Sequence, residues 1–308
     1  MTRAVVLTGG VGGAKLVHGL IDVLPAQDVT AIVNTGDDFR HLGLHVSPDI
    51  DTLIYTLSGK ANRTLGWGRE GESWAFMQVL RELGGPDWFQ LGDGDLALHV
   101  LRSLALAEGR TLSAVTADLA DRFGIGCTIL PMSDASVPTI IDSDEGRLEF
   151  QRYFVERQCR PSVRAIHFEG AVDAAPAPGV LEAIAEANMI LIAPSNPFLS
   201  VDPILAIPAI RKALRERRAP VVAVSPLIGG QAVKGPTAKL MAELGLAVSN
   251  QSIARHYDGL IDGLLIDTGD QRDDPGVAVS ACATLMKDRE DKARVASQAI
   301  SFATRLAQ

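Results

Sequence analysis

Cysteine is scarce in this sequence. The 308 residues contain three cysteines, Cys127, Cys159 and Cys282, which are odd in number and widely spaced. Because no Cys-x-x-Cys pair occurs, the sequence indicates neither a zinc site nor a disulfide framework. This cysteine usage fits a reducing compartment, and we predict a cytoplasmic protein.

Long apolar runs and concentrated positive charge are also missing. No apolar run approaches the roughly 18 residues that a membrane-spanning helix needs, and the N-terminus enters a predicted strand without the layout of a signal peptide. The formal net charge is −8 and no basic tract occurs, which argues against a surface for nucleic acid or for an anionic membrane. Local basic residues can still bind phosphates, so we expect small-molecule partners, with no nucleic acid and no membrane.

Residues 9–15 (GGVGGAK) are the most informative stretch. An apolar run before them predicts a buried strand, and periodic apolar residues after them predict a helix. Strand, glycine loop and helix in this order favour an anion site, because glycine lets the backbone approach a phosphate and the helix N-terminus attracts negative charge. A dinucleotide fingerprint starting at Gly10 would need glycine at Lys15, and a Walker A loop would need a Gly-Lys-Ser/Thr ending. A tight strand–helix turn without a ligand is the alternative.

Buried strands that end in polar tips recur along the chain. We predict strands at residues 4–8, 29–33, 127–130, 138–141, 189–193, 220–224 and 264–266. Their alternation with helices predicts a Rossmann-like α/β fold, in which a mostly parallel sheet is flanked by helices. We expect residues 1–308 to form a single domain with a helical subregion at 60–125, and two long helices to finish the chain. A ligand site should lie at the carboxyl ends of the strands.

Four aspartates lie at two predicted element ends. Asp37 and Asp38 follow the second strand, and Asp49 and Asp51 open a helix that Ser47 can cap. Carboxylate oxygens are the ligands that Mg²⁺ prefers, and this ion usually bridges to substrate phosphates. Asp49 and Asp51 could instead only complement the helix dipole. Residues two apart on a helix do not share a face, so we expect a metal role for at least one aspartate of each pair.

Eleven short motifs occur in order along most of the chain, from the first strand to about Asp270. They are residues 9–15, 34–38 (NTGDD), 47–52 (SPDIDT), 55–57 (YTL), 66–68 (GWG), 91–93 (LGD), 130–134 (LPMSD), 153–155 (YFV), 194–197 (PSNP), 225–226 (SP) and 234–236 (KGP). Each motif is weak alone. Together and in register they resemble the CofD family, the 2-phospho-L-lactate transferases of coenzyme F-420 biosynthesis.

The resemblance implies a reaction and a cofactor. Such enzymes take a guanylylated three-carbon acid, in which lactate, enolpyruvate or glycerate is joined through a diphosphate to guanosine. They transfer the phospho-acid to the ribityl hydroxyl of the deazaflavin Fo (7,8-didemethyl-8-hydroxy-5-deazariboflavin) and release GMP, with Mg²⁺. Catalysis of this type depends mainly on positioning and on electrostatic stabilisation.

The resemblance also implies roles for individual residues. Asp38 and Asp49 would bind the metal, Asp51 would orient or deprotonate the hydroxyl, and Lys15 would act on phosphate oxygens. Trp67 would flank the deazaflavin, and Ser195 and Asn196 would contact guanosine diphosphate. The full set of predicted substrate-binding residues is Gly9, Gly10, Gly12, Gly13, Asp49, Trp67, Asp93, Ser195, Asn196, Ser225 and Lys234.

One position departs from the family pattern. A lysine or arginine is expected directly after residues 91–93, and Gly94 stands there. A basic residue at this position would contact substrate, so the departure bears on the acceptor contact or on the choice of donor. Arg69 and Arg102 are candidates to supply the charge instead.

Two other functions stay open at this stage. Residues 131–134 also resemble YvcK-type proteins, which bind nucleotide-sugars and regulate carbon metabolism, although those proteins carry a Gly-Gly-Gly-Thr-Gly loop and lack the fuller set of motifs. A nicotinamide dehydrogenase is disfavoured by the absent third glycine, although Asp37 and Asp38 lie about 20 residues beyond the loop, where such enzymes place an acidic residue. The sequence does not select among the three acids, and it leaves a homodimer open.

Overall fold

The computed structural model describes residues 2–62, 67–232, 235–270 and 275–308. In this part of the chain the strands are β1 (Ala4–Thr8), β2 (Val29–Val33), β3 (Phe39–His41), β4 (Leu44–Val46), β5 (Thr128–Pro131), β6 (Thr139–Ser143), β7 (Gly146–Glu149), β8 (Val163–Phe168), β9 (Met189–Ile192), β10 (Val221–Val224), β11 (Leu227–Ile228), β12 (Gln231–Ala232), β13 (Gly263–Asp267) and β14 (Ala278–Cys282).

The helices of the same residues are mostly short. They are α1 (Gly10–Val23), α2 (Pro48–Leu57), α3 (Ala75–Glu82), α4 (Asp93–Ala107), α5 (Leu112–Arg122), α6 (Val180–Glu186), α7 (Asp202–Leu205), α8 (Pro208–Glu216), α9 (Thr237–Glu243), α10 (Asn250–His256) and α11 (Arg289–Leu306). A 3₁₀ turn covers Ala26–Asp28, and π-helical turns cover Arg152–Glu156 and Pro197–Val201. None of the described helices has the length and apolarity needed to cross a membrane.

Seven parallel strands form the central sheet, in the order β14-β13-β10-β9-β1-β2-β5. Val5 and Leu7 contribute to the core on one face of this sheet, and Ala4 and Val6 contribute to the core on the other. Both faces are therefore covered, which explains why the central strands are continuous apolar runs. The predicted parallel α/β sheet flanked by helices is confirmed.

The order of the strands reverses beside β1. From β1 the chain builds outwards through β2 and β5, and it then returns so that β9 pairs with the other side of β1. The loops that follow β1 and β9 consequently leave neighbouring strands in different directions. Such a reversal opens a crevice at the carboxyl ends of the strands, where α/β proteins place their ligands.

Three predicted elements differ from the structure. Residues 139–143 form a strand, but it belongs to a separate antiparallel sheet with the order β7-β6-β8. The two long helices predicted for the end of the chain are one helix, α11, preceded by the strand β14. This strand lies at the sheet edge and is largely exposed or half-buried, so it lacks the apolar signal of the inner strands. Within residues 60–125, α3, α4 and α5 confirm a mostly helical segment. The single-domain organisation stays a prediction.

Candidate active site

A cavity of about 920 Å³ lies along the crevice at the strand ends. Part of its wall is formed by segments that follow strands β1, β2, β9, β10 and β14. The remaining wall comes from α2, α4, the loops that carry Trp67 and Phe89, and residues 150–155. The predicted position of the ligand site therefore coincides with a cavity that several predicted site residues share.

The glycine loop packs tightly against the segment that follows β9. A Cβ atom added at Gly12 would lie 2.6 Å from the carbonyl oxygen of Pro194, and one at Gly13 would collide with Thr8 Oγ1. Gly10 has a φ of +63°, which suits glycine. Gly9, Gly10 and Gly12 line the cavity, whereas Gly13 packs behind the wall. The glycines thus permit close backbone packing as well as access to the cavity.

The Gly10 amide of this loop forms a hydrogen bond within the protein. The Gly10 N–H donates to Asp49 Oδ1 at 2.7 Å, so the N-terminus of α1 is joined to the N-terminus of α2. Lys15, one turn further along α1, lines the cavity and donates to the carbonyl oxygen of Met286 at 2.7 Å. Lys15 therefore connects the glycine loop with the wall that follows β14, and its ammonium group faces the cavity.

Asn196 lines the cavity and has an unused hydrogen-bond donor. Its Oδ1 accepts from the backbone N–H groups of Phe198 and Leu199 at 3.0 and 3.2 Å, while its buried Nδ2 has no partner among the described residues. Ser195 and Ser225 also line the cavity, but their hydroxyls donate to the carbonyl oxygen of Gly9 and to Asn250 Oδ1. Lys234 lies outside the described residues.

Asn34, Asp37 and Asp49 form one acidic group, which we call the Asn34 cluster. The Asn34 Nδ2 donates to Asp37 Oδ1 at 3.0 Å and to Asp49 Oδ2 at 2.9 Å. Both carboxyl groups are buried and line the cavity. Burial, followed by the negative charge of Asp49, raises the pKa of Asp37 well above its usual value. Burial also raises the pKa of Asp49 to about 6, against the hydrogen bonds from Asn34 and Gly10.

The partners of the Asn34 cluster leave its negative charge uncompensated. The hydrogen bonds to Asp37 and Asp49 come from neutral donors, and the ion pairs of the described residues include neither aspartate. Two close carboxylates in a buried site repel each other, and a cation between or beside them removes this repulsion. Hard oxygen ligands on a cavity wall fit a divalent cation such as Mg²⁺.

Asp38, which the sequence suggested as a metal ligand, faces away from the cavity. It is absent from the wall and accepts hydrogen bonds from Ser47 Oγ at 2.8 Å and His45 Nε2 at 3.1 Å. The two aspartates lie in a turn in which the Asp38 N–H bonds to the carbonyl oxygen of Thr35, and their carboxyl groups have different partners. Ser47 uses its hydroxyl on Asp38 instead of capping α2. Asp37 is the aspartate of this pair that lines the cavity.

Asp51 belongs to a second group, formed with Tyr55, Asp95, His99 and Arg102, which we call the Arg102 cluster. The Arg102 Nη1 donates to Asp51 Oδ2 at 3.1 Å, and its Nη2 pairs with Asp51 Oδ1. His99 lies between two carboxylates, with Nδ1 3.7 Å from Asp51 and Nε2 3.2 Å from Asp95. The Tyr55 hydroxyl donates to Asp95 at 2.6 Å. Asp51, Tyr55, Asp95 and His99 line the cavity.

The Arg102 cluster has the ligand types of a metal site, since suitable atoms of Asp51, Asp95 and His99 lie within 4.8 Å of one another. The Arg102 guanidinium already supplies positive charge there, which distinguishes it from the Asn34 cluster. Tyr55, Asp95 and His99 are not among the site residues predicted from the sequence. The spacing of Asp95, His99 and Arg102 along α4 was a usable signal, because residues three and four apart share a helix face.

Aromatic side chains form a further part of the cavity wall. They are Trp67, Phe89, Phe150 and Phe154. Trp67 is 49% exposed and meets Trp74 edge to face at 6.5 Å, while Phe150 and Phe154 stack at 5.2 Å. Flat apolar surfaces of this kind suit a planar ring system.

Comparisons with known proteins agree on one family. The model of the family described as 2-phospho-L-lactate transferase CofD matches residues 4–302. The chain belongs to the CofD family. It is similar to phosphoenolpyruvate transferases from Kitasatospora aureofaciens (44% identity), Streptomyces griseus (43%) and Streptomyces coelicolor (42%), with 98% of this chain and 98% of each relative covered.

Solved structures bear on the fold of this CofD-family transferase. Two crystal structures of a UPF0052 family protein from Bacillus halodurans match it with a TM-score of 0.66 at 19% identity. The matches cover 97% of this chain and 100% and 99% of those chains. At this identity the likeness shows a shared fold.

The structure also locates Asp93, the last residue of the Leu-Gly-Asp motif, and Gly94, which follows it. Asp93 lies off the cavity wall and accepts hydrogen bonds from Ser73 Oγ and from the N–H groups of Ala75 and Phe76 at the start of α3. These bonds, that of Ser73 first, lower the pKa of Asp93. Asp93 therefore caps α3, and its role in substrate binding stays a prediction. A Cβ atom at Gly94 would lie 2.5 Å from Arg69 Nη1, so Arg69 occupies the space that a side chain at 94 would need.

Proposed function

We propose that this CofD-family transferase moves a phospho-acid group from a guanosine-diphosphate-linked donor to the deazaflavin Fo and releases GMP, in coenzyme F-420 biosynthesis. The acid is 2-phospho-L-lactate or its phosphoenolpyruvate or phosphoglycerate equivalent. The names of the relatives make the enolpyruvyl donor the first to test, because phosphoenolpyruvate transferases are similar to this chain over 98% of its length.

One observation carries the proposal. A single cavity is lined by a glycine loop at a helix N-terminus, by buried carboxylates and by aromatic side chains. A loop and helix N-terminus of this kind suit a diphosphate, and the aromatic wall suits a planar deazaflavin. Asn196 Nδ2 adds a donor for the guanosine diphosphate. These features support one cavity as the site for both proposed substrates.

The transfer that we propose is a displacement at phosphorus. The oxygen of the acceptor hydroxyl forms a bond to the phosphorus next to the acid, and the bond from that phosphorus to the bridging oxygen of GMP breaks. As the new bond forms, the hydroxyl proton passes to the Asp51 carboxylate, which accepts the hydrogen bond of the hydroxyl, and Asp51 later releases this proton to water. Lys15 and the glycine loop contact the charged oxygens of the diphosphate. The protein contributes positioning and charge stabilisation, as is usual for phosphoryl transfer.

Magnesium is part of the proposal. Asp37 and Asp49 of the Asn34 cluster would hold the ion, because both are buried, line the cavity and receive hydrogen bonds from neutral donors. When bound, Mg²⁺ would neutralise charge on the diphosphate.

The homodimer stays a prediction.

The test is direct. The protein is incubated with Fo, Mg²⁺ and, in turn, the lactyl, enolpyruvyl and glyceryl donors, and GMP release is followed together with the mass of the deazaflavin product. We expect one equivalent of GMP per product, fastest with the enolpyruvyl donor. Tight nucleotide-sugar binding without turnover would contradict the proposal and favour a regulatory protein. Omitting Fo is the control, since donor hydrolysis alone would release GMP without the product mass.

A further inference from the structure

We infer that Arg102 is a positioning residue for the transfer, which acts by holding Asp51 for the acceptor hydroxyl and keeping it apart from the cation. The inference rests on the proposed function, because it assigns a role within that reaction. Arg102 is fully buried and is not part of the cavity wall. Any effect of its charge on the substrates must therefore pass through the groups that it contacts.

The contact between Arg102 and Asp51 is bidentate. Nη1 and Nη2 of Arg102 bind the two oxygens of the Asp51 carboxylate separately. An arginine fork that meets a carboxylate in this way fixes the plane of the carboxylate as well as its place. Each oxygen keeps a further lone pair. Asp51 can consequently accept a hydrogen bond from a hydroxyl in the cavity while it stays bound to Arg102.

The neighbouring aspartate on the same helix turn shows what Arg102 changes. Asp49 and Asp51 are two residues apart, and Asp49 binds the neutral groups of Gly10 and Asn34. Both oxygens of Asp51 instead contact the permanently charged guanidinium of Arg102. A divalent cation gains little from a carboxylate whose charge a guanidinium already compensates. Arg102 thereby assigns Asp49 and Asp51 to different tasks.

The rest of the Arg102 cluster supports this arrangement from the other side. Arg102 Nη1 lies 3.4 Å from His99 Nδ1, and His99 Nε2 faces Asp95 at 3.2 Å. Tyr55 fixes Asp95 in turn. Arg102, His99 and Asp95 all project from α4, so one rigid helix holds the groups that surround Asp51.

The test compares Arg102→Met, Arg102→Lys and Asp51→Asn with the double variant Asp51→Asn/Arg102→Met. We expect Arg102→Met to lower kcat by about 100-fold, the scale that misplacement of a reacting group produces. The donor Kd and the Mg²⁺ concentration for half-maximal rate should stay within about threefold. Arg102→Lys should recover part of kcat. The double variant should be no slower than Asp51→Asn, because the effect of Arg102 on the transfer is expected to pass through Asp51.

Arg217→Met is the matched control, since Arg217 is also largely buried and pairs with Asp262 at 2.7 Å, away from the cavity. It should leave kcat unchanged. A wild-type kcat in Arg102→Met overturns the inference, and so does a parallel loss of donor and Mg²⁺ binding, or a double variant much slower than Asp51→Asn. Where Arg102→Met does not fold, Arg102→Lys carries the same comparison, with a wild-type kcat against the inference. If the wild type transfers nothing to Fo, the proposed function fails and this inference fails with it.

Discussion

The Asn34 cluster and the Arg102 cluster contain the same kind of group in two different settings. Asp49 and Asp51 leave the first turn of one helix, are similarly buried and face one cavity. Asp49 is held by an amide and a backbone N–H, and burial raises its pKa to about 6. Asp51 is held by a guanidinium.

This difference shows how partners decide the chemistry of a carboxylate. In a buried site the ionised form needs either a nearby positive charge or several hydrogen bonds. Arg102 meets that need for Asp51 within the protein. For Asp49 and Asp37 the described residues provide hydrogen bonds only, so an external cation is the remaining source of positive charge. The cavity therefore combines a carboxylate whose charge is balanced by the protein with two whose charge the described residues leave uncompensated.

The largest effect is expected from Asp49→Asn. The amide keeps the shape but removes one negative charge from the Asn34 cluster, so transfer should fall by about 100-fold or more at saturating Mg²⁺ while the fold survives. Steady-state GMP release and circular dichroism measure the two properties. Asp202→Asn is the control, because Asp202 is bound to His256 outside the cavity. Activity within about threefold of wild type would exclude Asp49 as a metal ligand.

A smaller effect should separate Asp37 from Asp38. Asp37→Asn should raise the Mg²⁺ concentration for half-maximal rate by about tenfold, since it removes charge from the cavity wall. Asp38→Asn should leave that concentration unchanged and alter the melting temperature instead, because Asp38 binds His45 and Ser47 behind the wall. Mg²⁺ titrations of GMP release decide the matter. The reverse order would restore Asp38 as the metal ligand.

The pH dependence of Mg²⁺ binding sharpens the comparison further. Because the pKa of Asp49 is raised from 3.8 to about 6 in the fold, the folded protein binds more protons than the unfolded chain between these values. This group's contribution to stability therefore falls as pH rises through that range. A cation replaces the proton, so Mg²⁺ should raise the melting temperature more at about pH 7.5 than at about pH 5. Scanning calorimetry measures both shifts, and Asp49→Asn should reduce the difference. An equal shift at both pH values would contradict this account.

The sequence predicted those parts of the molecule that depend on local pattern. Residues 189–192 were recognised as a strand because both faces of the sheet are covered, and α2 begins at Pro48 as its sequence indicates. The local pattern of strand, glycine loop and helix likewise predicts a ligand site at the glycine loop, and this loop lines the cavity. These features depend on residues close together in the chain, where apolar periodicity and turn residues are informative.

Other parts depend on contacts that local pattern does not contain. Arg102 lies 51 positions from Asp51 in the sequence, and only the tertiary fold brings the two side chains together. Asp37 and Asp38 are adjacent in the sequence, but only Asp37 lines the cavity, while Asp38 binds His45 and Ser47. Asp93 is a predicted site residue because it belongs to the motif at residues 91–93, and its carboxylate caps α3. In each case the residue type indicates a possible function, but the direction of the side chain depends on the tertiary structure and cannot be predicted from local sequence.

The smallest expected effect concerns Gly94, at the start of the helix that carries the Arg102 cluster. The φ of Gly94 is not in the left-handed region, so the backbone itself accepts a side chain. The obstacles are Arg69, which lies across Gly94 with its Nη1 3.5 Å from Glu72 Oε1, and this Glu72 oxygen, which would lie 2.9 Å from a Cβ atom at residue 94. Glu72 in turn accepts the N–H groups of Gly94 and Asp95 and so holds the N-terminus of α4.

Gly94→Lys alone should therefore lower the melting temperature, because lysine and Arg69 compete for one space, and overpacking of this kind costs about 1–3 kcal/mol in a tight site. Arg69 is one-third exposed and can move, so we expect the lower end of that range. In Arg69→Ala/Gly94→Lys the lysine can enter the vacated space, and the double variant should be more stable than the sum of the single variants by roughly 1 kcal/mol. Chemical denaturation of the four proteins measures this coupling.

The same four proteins test whether the positive charge near Gly94 contributes to substrate binding. If it does, Arg69→Ala should raise the KM for Fo, and the double variant should restore the wild-type KM. Additive stabilities would show that Arg69 does not occupy the place of a side chain at residue 94, and a KM for Fo unchanged in all four proteins would remove this charge from substrate binding.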